Sequence, residues 1–255
     1  MIGRFAVILV AAGKSTRFAA NALKKPFVDL CGKAVWEHSA ALFAGHPSVA
    51  QILVVLSAED RRFFEKQYAD RIAAWSLDLV DGGRERFESV ENGLKQVRND
   101  INFVAIHDAA RPCVTKNQID AVFSAAQQHG AAILASPVVG TLKRVAECGA
   151  PCEKPVDADQ VTDTVHGLRN IVGTVPRHDL WEAQTPQAFC REWIVEACDK
   201  RDTFHVTDDA QLLEKIGRSV KIVPSERTNL KITTPFDLVV ARQILIDSEH
   251  FHDED

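Results

Sequence analysis

The sequence has no long apolar run, no basic excess and no internal repeat, and each absence excludes a class of protein. No apolar stretch approaches the roughly 20 residues that a membrane-spanning helix needs, so we expect no membrane partner. The chain carries 30 Lys and Arg against 35 Asp and Glu, a net charge of −5, which does not predict a nucleic-acid-binding surface. With 255 residues and no low-complexity tract, the chain is long enough to bury a sizeable core.

The cysteines form neither a disulfide framework nor a recognised metal site. They are scattered over a chain that is too large to need disulfides, which is typical of a reducing compartment. Cys148 and Cys152 are the only close pair, and no thiol or imidazole follows at zinc-site spacing, so free thiols are predicted. The first residues, MIGRFAVILVAAG, imitate a secretory signal, but the β-branched run before a glycine turn predicts a buried strand. We therefore expect a cytoplasmic protein.

Short apolar runs alternate with helical patterns over the first half of the chain. The predicted strands cover residues 4–10, 51–57, 77–83, 102–112 and 131–138, and the helices between them cover residues 34–45, 59–75, 87–97 and 116–129. This alternation predicts βαβ units, and therefore an α/β fold with a mostly parallel sheet and helices on both faces. Ligands bind such sheets beyond the carboxyl ends of the strands. Three segments follow strands, and we expect them to meet at that edge: AAGKSTR, DGGRER and HDAARP.

The texture changes between about residues 140 and 176. Two strand-like pieces, TLKRVA and NIVGTV, flank a polar middle that contains several Pro and Gly residues. This stretch is too short to hold its own core, so we predict a β-arm that protrudes from a single domain spanning residues 1–255. Helices near 190–199 and 208–216, the strand SVKIVPS and a helix over 235–247 follow. The acidic tail from about residue 248 is expected to be frayed.

The opening loop resembles a P-loop but lacks its first glycine. A P-loop has glycine five residues before its Gly-Lys-Ser, and Ile8 stands there, while the Rossmann glycine fingerprint fails for want of further glycines. The loop instead combines small residues with cations, a combination that can cradle a triphosphate. These residues are Ala11, Ala12, Gly13, Arg17 and Lys25. A tight turn with solvated cations explains the loop equally well.

The other two segments add a possible base site and a possible metal site. In DGGRERFESV, Gly82 and Gly83 permit close backbone approach, and the Ser89 hydroxyl either reads a base edge or caps the helix. In IHDAARP, Asp108 ends a strand at the predicted ligand edge. A single carboxylate beside phosphates suits Mg²⁺, and the alternative is an ion pair with Arg111.

The motifs, taken in order, carry a family resemblance. LVAAGKSTRF, DGGRERFESV, HDAARP, TPQAF, VTDDA and TNLKITTPFDL resemble the motifs of the 2-C-methyl-D-erythritol 4-phosphate cytidylyltransferases of non-mevalonate isoprene biosynthesis, from about residue 5 to residue 245. The resemblance implies a Rossmann-like nucleotidyltransferase core, a β-arm that forms a homodimer, and Mg²⁺ as cofactor. It implies transfer of CMP from CTP to 2-C-methyl-D-erythritol 4-phosphate, with release of pyrophosphate.

Carried over position by position, the resemblance also implies roles in CTP binding. Ala11, Ala12 and Gly13 resemble the triphosphate loop of the family. Arg17 and Lys25 resemble the two cations that stabilise the charged transition state. Gly83 and Ser89 resemble the positions that read the cytosine base. Asp108, with Ala109 beside it, resembles the position that contacts the ribose and the metal.

For the acceptor, the resemblance implies a sugar-phosphate pocket and a cation beside the acceptor phosphate. The pocket positions are Thr141, Arg177, Thr185 and Thr207, and the cation is Lys231. The implied chemistry is an in-line attack of the acceptor phosphate on the α-phosphorus of CTP, which depends mostly on positioning and charge neutralisation.

Two departures from the family pattern and two alternative functions remain at this point. Ser15 stands where many members have a second glycine, and the arm between Arg144 and Arg177 is longer than is typical. Whether Arg177 acts within its own chain or across the dimer is therefore open. A ribitol 5-phosphate cytidylyltransferase would share most nucleotide motifs. A non-catalytic nucleotide sensor would not need the cations of both halves of a transfer site.

Overall fold

The computed structural model describes residues 4–13, 24–145, 170–201 and 206–252. The strands are β1 (Phe5–Val10), β2 (Asp29–Leu30), β3 (Lys33–Ala34), β4 (Val49–Leu56), β5 (Leu77–Asp81), β6 (Phe103–Asp108), β7 (Ala131–Pro137), β8 (Leu142–Val145), β9 (Ile171–Val175), β10 (Trp181–Cys190) and β11 (Lys221–Pro224). The helices are α1 (Val35–Ala44), α2 (Ala58–Gln67), α3 (Ala69–Ala74), α4 (Arg86–Lys95), α5 (Lys116–His129), α6 (Arg191–Asp199), α7 (Ala210–Lys215) and α8 (Pro235–His252). None of these helices is both long enough and apolar enough to cross a bilayer.

A mostly parallel sheet forms the centre of the described chain, as the sequence predicts. Its strand order is β11-β7-β10-β6-β1-β4-β5. β1 pairs in parallel with both β4 and β6, β4 with β5, and β7 with β11, whereas β10 runs antiparallel to β6. The carboxyl ends of β1, β5 and β6 therefore lie at the same edge of the sheet, where the three predicted segments follow them.

β1 shows why its apolar run is continuous. Phe5, Val7 and Leu9 belong to one buried cluster, with side chains from α1, α2 and α5, and Ala6 and Ile8 belong to a second, with α4, α6 and α7. Because successive side chains of a strand point to opposite faces, a strand covered on both faces needs apolar residues at every position. The prediction of helices on both faces is confirmed.

The elements differ from the predictions at three places. The helix predicted over 59–75 is two helices separated at Tyr68, which leaves helical geometry and packs its ring against Trp36 and Phe64. β10 was not predicted, because Pro186 argues against a strand inside a sheet and yet lies within one. α8 continues to His252, past the predicted start of fraying at residue 248, and no Gly or Pro ends it earlier.

The chain divides into two compact units: Met1–Ser136 with Ala183–Asp255, here called the core unit, and Pro137–Glu182, here called the arm unit. Within the arm unit, β8 and β9 pair antiparallel, from Leu142 opposite Val175 to Val145 opposite Ile171. Val138 donates its N–H to the carbonyl of Leu180. The arm unit thus corresponds to the predicted β-arm, with wider boundaries than the predicted 140–176, and Cys148 and Cys152 lie outside the described residues.

Candidate active site

A cavity of ≈ 360 Å³ opens at the carboxyl ends of β1 and β6, beside the loop that follows β5. It brings together most of the predicted site residues of the core unit. Those that line it are Ala11, Ala12, Gly13, Lys25, Gly83, Ser89, Asp108 and Lys231. They come from distant parts of the sequence, and the parallel strand order places them together.

The remaining predicted positions lie elsewhere or outside the described residues. Ala109 is fully buried and donates its N–H to the carbonyl of Val10. Thr207 is exposed ahead of α7, with its N–H bonded to Gln211. Thr141 and Arg177 are exposed in the arm unit, where the Arg177 guanidinium donates to the carbonyl of Val139. Arg17 and Ser15 lie outside the described residues, so the first-loop predictions at those positions stay predictions.

Asp108 is the electrostatic centre of the cavity. Its Oδ1 accepts a hydrogen bond from Arg86 Nε at 3.2 Å, and its Oδ2 lies 2.7 Å from Lys231 Nζ and 3.8 Å from Arg111 Nε. Burial alone would raise the pKa of Asp108, but the charges of Arg86, Lys231 and Arg111 hold it well below its ordinary value. Asp108 is therefore ionised, and the pairing with Arg111 weighed from the sequence is its longest ion-pair contact.

A buried hydrogen-bond network holds the Asp108 backbone. The Asp108 N–H donates to Thr185 Oγ1 at 3.0 Å, and that hydroxyl contacts His107 Nδ1 at 3.2 Å. On the other side of the ring, Nε2 lies 3.2 Å from both Ser39 Oγ and the Arg111 carbonyl. Burial lowers the pKa of His107 to about 4. Thr185, which the resemblance places at the sugar phosphate, does not line the cavity and lies beneath Asp108 as a support.

The glycines after β5 serve packing within the protein. A Cβ on Gly82 would lie 2.6 Å from Ala12 Cβ, and one on Gly83 would lie 2.3 Å from Glu88 Cβ. The Gly83 N–H donates to Ser89 Oγ at 3.0 Å, and Ser89 donates in turn to the Glu85 carbonyl at 3.1 Å. The atoms that lie close to these two glycines are thus those of Ala12 and of α4. The Ser89 hydroxyl joins the loop to the helix, and because Ser89 also lines the cavity, its base-reading role stays a prediction.

The residue before Lys25 holds its segment against α2. Lys24 Nζ lies 2.7 Å from Asp60 Oδ2 and donates to Ser57 Oγ at 3.1 Å. Ser57 caps the amino end of α2 through the Asp60 N–H. Because Lys24 is anchored on this helix end, Lys25 and Pro26 begin a turn of 3₁₀ helix at the cavity wall.

Lys231 is positioned by backbone contacts with the HDAARP loop. Ile232 donates its N–H to the Ala110 carbonyl at 2.8 Å, and Arg111 Nη1 donates to the Asn229 carbonyl at 2.7 Å. Asn229 is fully buried, and its side-chain amide donates to the Thr185 carbonyl at 3.0 Å. These bonds place the Lys231 ammonium over Asp108.

Two charged residues of this region were missed from the sequence. Arg86 lines the cavity and joins Asp108 to Asp209, a carboxylate that is 1% exposed. The two arginines of DGGRER were a usable signal for Arg86, because that segment was already expected at the ligand edge. Asp209 gave no such signal, since nothing in VTDDA distinguishes its two aspartates.

The donor set around Asp108 fits a magnesium ion shared with a triphosphate. Among the described residues, no group of three or more His, Cys, Asp or Glu side chains could hold a metal alone. Mg²⁺ is commonly held by one or two carboxylates together with substrate phosphates and water. Asp108 can supply the single carboxylate of such a site.

Comparison with known proteins agrees with the motifs. The chain is 34% identical over 247 residues to the 2-C-methyl-D-erythritol 4-phosphate cytidylyltransferase of Alkaliphilus oremlandii, covering 96% of each chain. It is 37% identical over 250 residues to that of Rhodopirellula baltica, covering 94% of this chain and 93% of the relative. The crystal structure of the Francisella tularensis enzyme of the same name superposes with a TM-score of 0.73 at 27% identity, covering 95% of this chain and 100% of the other. The model of the 2-C-methyl-D-erythritol 4-phosphate cytidylyltransferase family matches residues 5–247, and the chain belongs to that family.

Proposed function

We propose that this chain transfers CMP from CTP to 2-C-methyl-D-erythritol 4-phosphate in the cavity around Asp108, releasing pyrophosphate and forming 4-diphosphocytidyl-2-C-methyl-D-erythritol. The observation that carries the proposal is the convergence of separate motifs on one cavity. Residues 11–13, Lys25, residues 83–86, Ser89, Asp108 and Lys231 all line it. The names of the relatives support the same acceptor.

The reaction brings two anions together, and the residues of the cavity suit that task. An oxygen of the acceptor phosphate attacks the α-phosphorus of CTP, and pyrophosphate leaves in line. Catalysis of such a step consists mainly of positioning and charge stabilisation. Lys25 lies at the wall formed with residues 11–13, and Lys231 lies over Asp108. We assign Lys25, with Arg17, to the triphosphate and Lys231 to the acceptor phosphate.

Asp108 is the residue that we propose to hold Mg²⁺. When bound, the ion would neutralise charge on the triphosphate. The low pKa of Asp108, which its cationic neighbours produce against the effect of burial, keeps the carboxylate ionised for this role. Lys231 Nζ lies 2.7 Å from Oδ2 of this carboxylate, and its ammonium is therefore close enough to the cavity to bind the incoming phosphate.

The arm unit supports the proposal of a homodimer. Its apolar side chains are unusually exposed: Val139 57%, Leu142 39%, Val145 43%, Ile171 62%, Val172 60% and Trp181 38%. Many exposed apolar side chains on one short hairpin favour an interaction site. We propose that a second copy of the arm covers it, and that Arg177 serves the acceptor site of the partner.

Hybrid dimers test the composite site. Chains carrying Lys25→Ala and chains carrying Arg177→Ala would be inactive alone. If Arg177 acts across the dimer, mixing the two variants should restore part of the activity, because one of the two sites then holds both wild-type residues. The absence of any rescue after verified subunit exchange would place Arg177 in its own chain's site.

Pyrophosphate release tests the function as a whole. Wild-type protein should release pyrophosphate from CTP with Mg²⁺ when 2-C-methyl-D-erythritol 4-phosphate is present. It should release much less with ribitol 5-phosphate or without an acceptor. Preference for ribitol 5-phosphate would retain the mechanism and change the substrate. No release with either acceptor would refute a transferase function and favour a nucleotide sensor.

A further inference from the structure

Asp209 is a buried carboxylate outside the cavity whose two oxygens face a single arginine. It precedes α7 and is 1% exposed. Arg86 Nη1 donates to Asp209 Oδ1 at 2.9 Å, and Arg86 Nη2 lies 2.8 Å from Asp209 Oδ2. The Nη1–Oδ1 contact is a charge-assisted hydrogen bond, whereas the Nη2–Oδ2 contact is an ion pair without hydrogen-bond geometry.

The contact with Asp209 determines which nitrogen of Arg86 can bind Asp108 in the cavity. Because both Nη atoms face Asp209, only Nε is directed at Asp108, where it donates to Oδ1 at 3.2 Å. The second oxygen of Asp108, Oδ2, is left to Lys231 at 2.7 Å. An unbroken series of ion pairs, Asp209–Arg86–Asp108–Lys231, therefore leads from α7 to the cavity.

Stability alone does not account for a buried ion pair of this kind. Removing two charges from water is costly, and apolar side chains of similar size are often at least as stabilising. The side chain of Lys231 is 42% exposed and that of Arg86 30% exposed. Of Arg86 and Lys231, the lysine is thus the more accessible to a ligand in the cavity.

We propose that Asp209 is a positioning residue for the transfer reaction. By occupying both Nη atoms of Arg86, it prevents that guanidinium from making the same paired contact with Asp108. Asp108 Oδ2 therefore stays available to Lys231, and to any group that displaces Lys231 from it. This inference rests on the proposed function, in which Lys231 binds the acceptor phosphate. Without the charge of Asp209, Arg86 would turn to Asp108 and displace Lys231.

Asp209→Asn is the first test, because it keeps the shape of the side chain and removes its charge. We expect kcat/KM for the acceptor to fall at least about tenfold, with a smaller change in KM for CTP. Asp208→Asn is the matched control. Its carboxylate accepts from Gln187 Nε2 and the Gln211 N–H, and we expect kinetics close to wild type. Equal losses in both variants, or no loss in Asp209→Asn, would overturn the proposal.

A double-mutant cycle separates positioning from a general structural effect. If Asp209 acts through Lys231, Asp209→Asn should add little to the loss already caused by Lys231→Met, because neighbours in one network are not additive. Multiplicative losses would overturn the proposal. If Asp209→Asn does not fold, as judged by urea unfolding, Arg86→Lys takes its place. A lysine keeps the positive charge but cannot contact two carboxylates as the fork does, so acceptor kcat/KM should again fall.

Amine labelling gives a readout that does not depend on activity. Acetylation of Lys231 by N-hydroxysuccinimidyl acetate, followed by peptide mass spectrometry with exposed Lys33 as reference, reports its pairing with Asp108. The rate at Lys231 should rise several-fold in Asp209→Asn and stay unchanged in Asp208→Asn. An unchanged rate in both variants would refute this inference even if wild-type protein transfers CMP. An inactive wild-type protein with the expected labelling would instead refute the proposed function.

Discussion

The core unit and the arm unit treat apolar side chains in opposite ways. In the core unit, Phe5, Ile8 and Phe189 are fully buried between the sheet and its helices. In the arm unit, Ile171 and Val172, on a single strand, are 62% and 60% exposed. A two-stranded hairpin has no second layer to cover it and is marginally stable alone. The contrast shows that the core unit buries its own apolar side chains, whereas the described part of the arm leaves several of them exposed.

Polar contacts differ between the units in the same way. Asp108, His107, Thr185 and Asn229 form a continuous buried network in the core unit. The arm unit has exposed contacts between Lys143 and Thr174 and between His178 and Asp179, and exposed contacts of this kind contribute little to stability. We therefore assign fixed chemistry to the core unit and association to the arm, and the following predictions test that division.

The largest expected effect is the loss of dimers when a charge enters the arm surface. Ile171→Glu would bury two carboxylates, one from each copy, in an apolar interface. We expect roughly 4 kcal/mol of lost association energy, about a thousandfold in dissociation constant. Sedimentation velocity across a dilution series measures it. Phe236→Glu, at a site of the core unit that is 72% exposed, is the control and should leave dimers intact. Dissociation by Phe236→Glu alone would move the interface to α8.

The next effect concerns the chemistry of the core unit. Lys25→Ala should raise the barrier to transfer by about 2–4 kcal/mol, more than tenfold in turnover, because a cation of the charged transition state is lost. Initial rates of pyrophosphate release measure it, and the urea midpoint should match wild type. Lys33→Ala, in the exposed hairpin of β2 and β3, serves as the control. A near-normal rate for Lys25→Ala would remove this residue from the mechanism.

Glycine substitutions compare the packing of the two units directly. Gly82→Ala would place a Cβ 2.6 Å from Ala12 Cβ and 3.1 Å from Ser89 Oγ. We expect about 1–3 kcal/mol of destabilisation from this overpacking, measured by urea unfolding, together with weaker CTP binding. In the arm, a Cβ on Gly173 would meet nothing within 4 Å, so Gly173→Ala should be neutral or slightly stabilising. The reverse order of the two effects would contradict the packing argument.

The smallest expected effect is a pH-dependent loss of stability when the carboxylate of Asp237, near the amino end of α8, is removed. Partial burial alone would raise the pKa of Asp237, but hydrogen bonds from Thr233 and Thr234 lower it below its ordinary value. A carboxyl group with a lowered folded-state pKa stabilises the fold above the unfolded pKa. This contribution is lost as pH falls through the folded value. Asp237→Asn should therefore cost about 1 kcal/mol at pH 7, and the difference from wild type should vanish in strong acid.

Unfolding at a series of pH values measures this difference. Asp179→Asn is the arm control. Asp179 has φ +63°, a conformation that Asn also tolerates, and its side chain is exposed. We expect this variant to match wild type across the series. A difference between Asp237→Asn and wild type that stays constant down to strong acid would exclude the carboxylate as its source.

The central elements could be predicted because local pattern and burial agree there. β1 is apolar at every position and is covered on both faces, and α5 is capped by Thr115 at its amino end and by Gly130, with φ +84°, at its carboxyl end, as capping rules expect. β10 could not be predicted, because a proline such as Pro186 is not typical of a central strand. The break at Tyr68 accompanies a ring contact with Trp36, which is distant in sequence and which no local pattern reveals.

The residues of the candidate site likewise fall into those that the local sequence predicts and those that depend on contacts between distant segments. Residues at or shortly after the carboxyl end of a strand, such as Asp108 and Gly13, could be assigned to the ligand edge because parallel strands end together. Thr185 and Ser89 carry hydroxyls whose partners come from other segments. Both hydroxyls accept hydrogen bonds that support the loops, from the Asp108 N–H and from the Gly83 N–H, and Ser89 also lines the cavity.

The amino-acid sequence alone was sufficient for the class of fold, the family and the segments that form the cavity, because periodicity and motif order are local properties of the chain. Only the tertiary structure decided how charge is shared around Asp108. Arg86, Asp209 and Lys231 lie far apart along the chain, and each could pair with many carboxylates or cations in solution. Packing of α4, α7 and the HDAARP loop against one sheet edge selects a single arrangement, with Asp108 between Arg86 and Lys231.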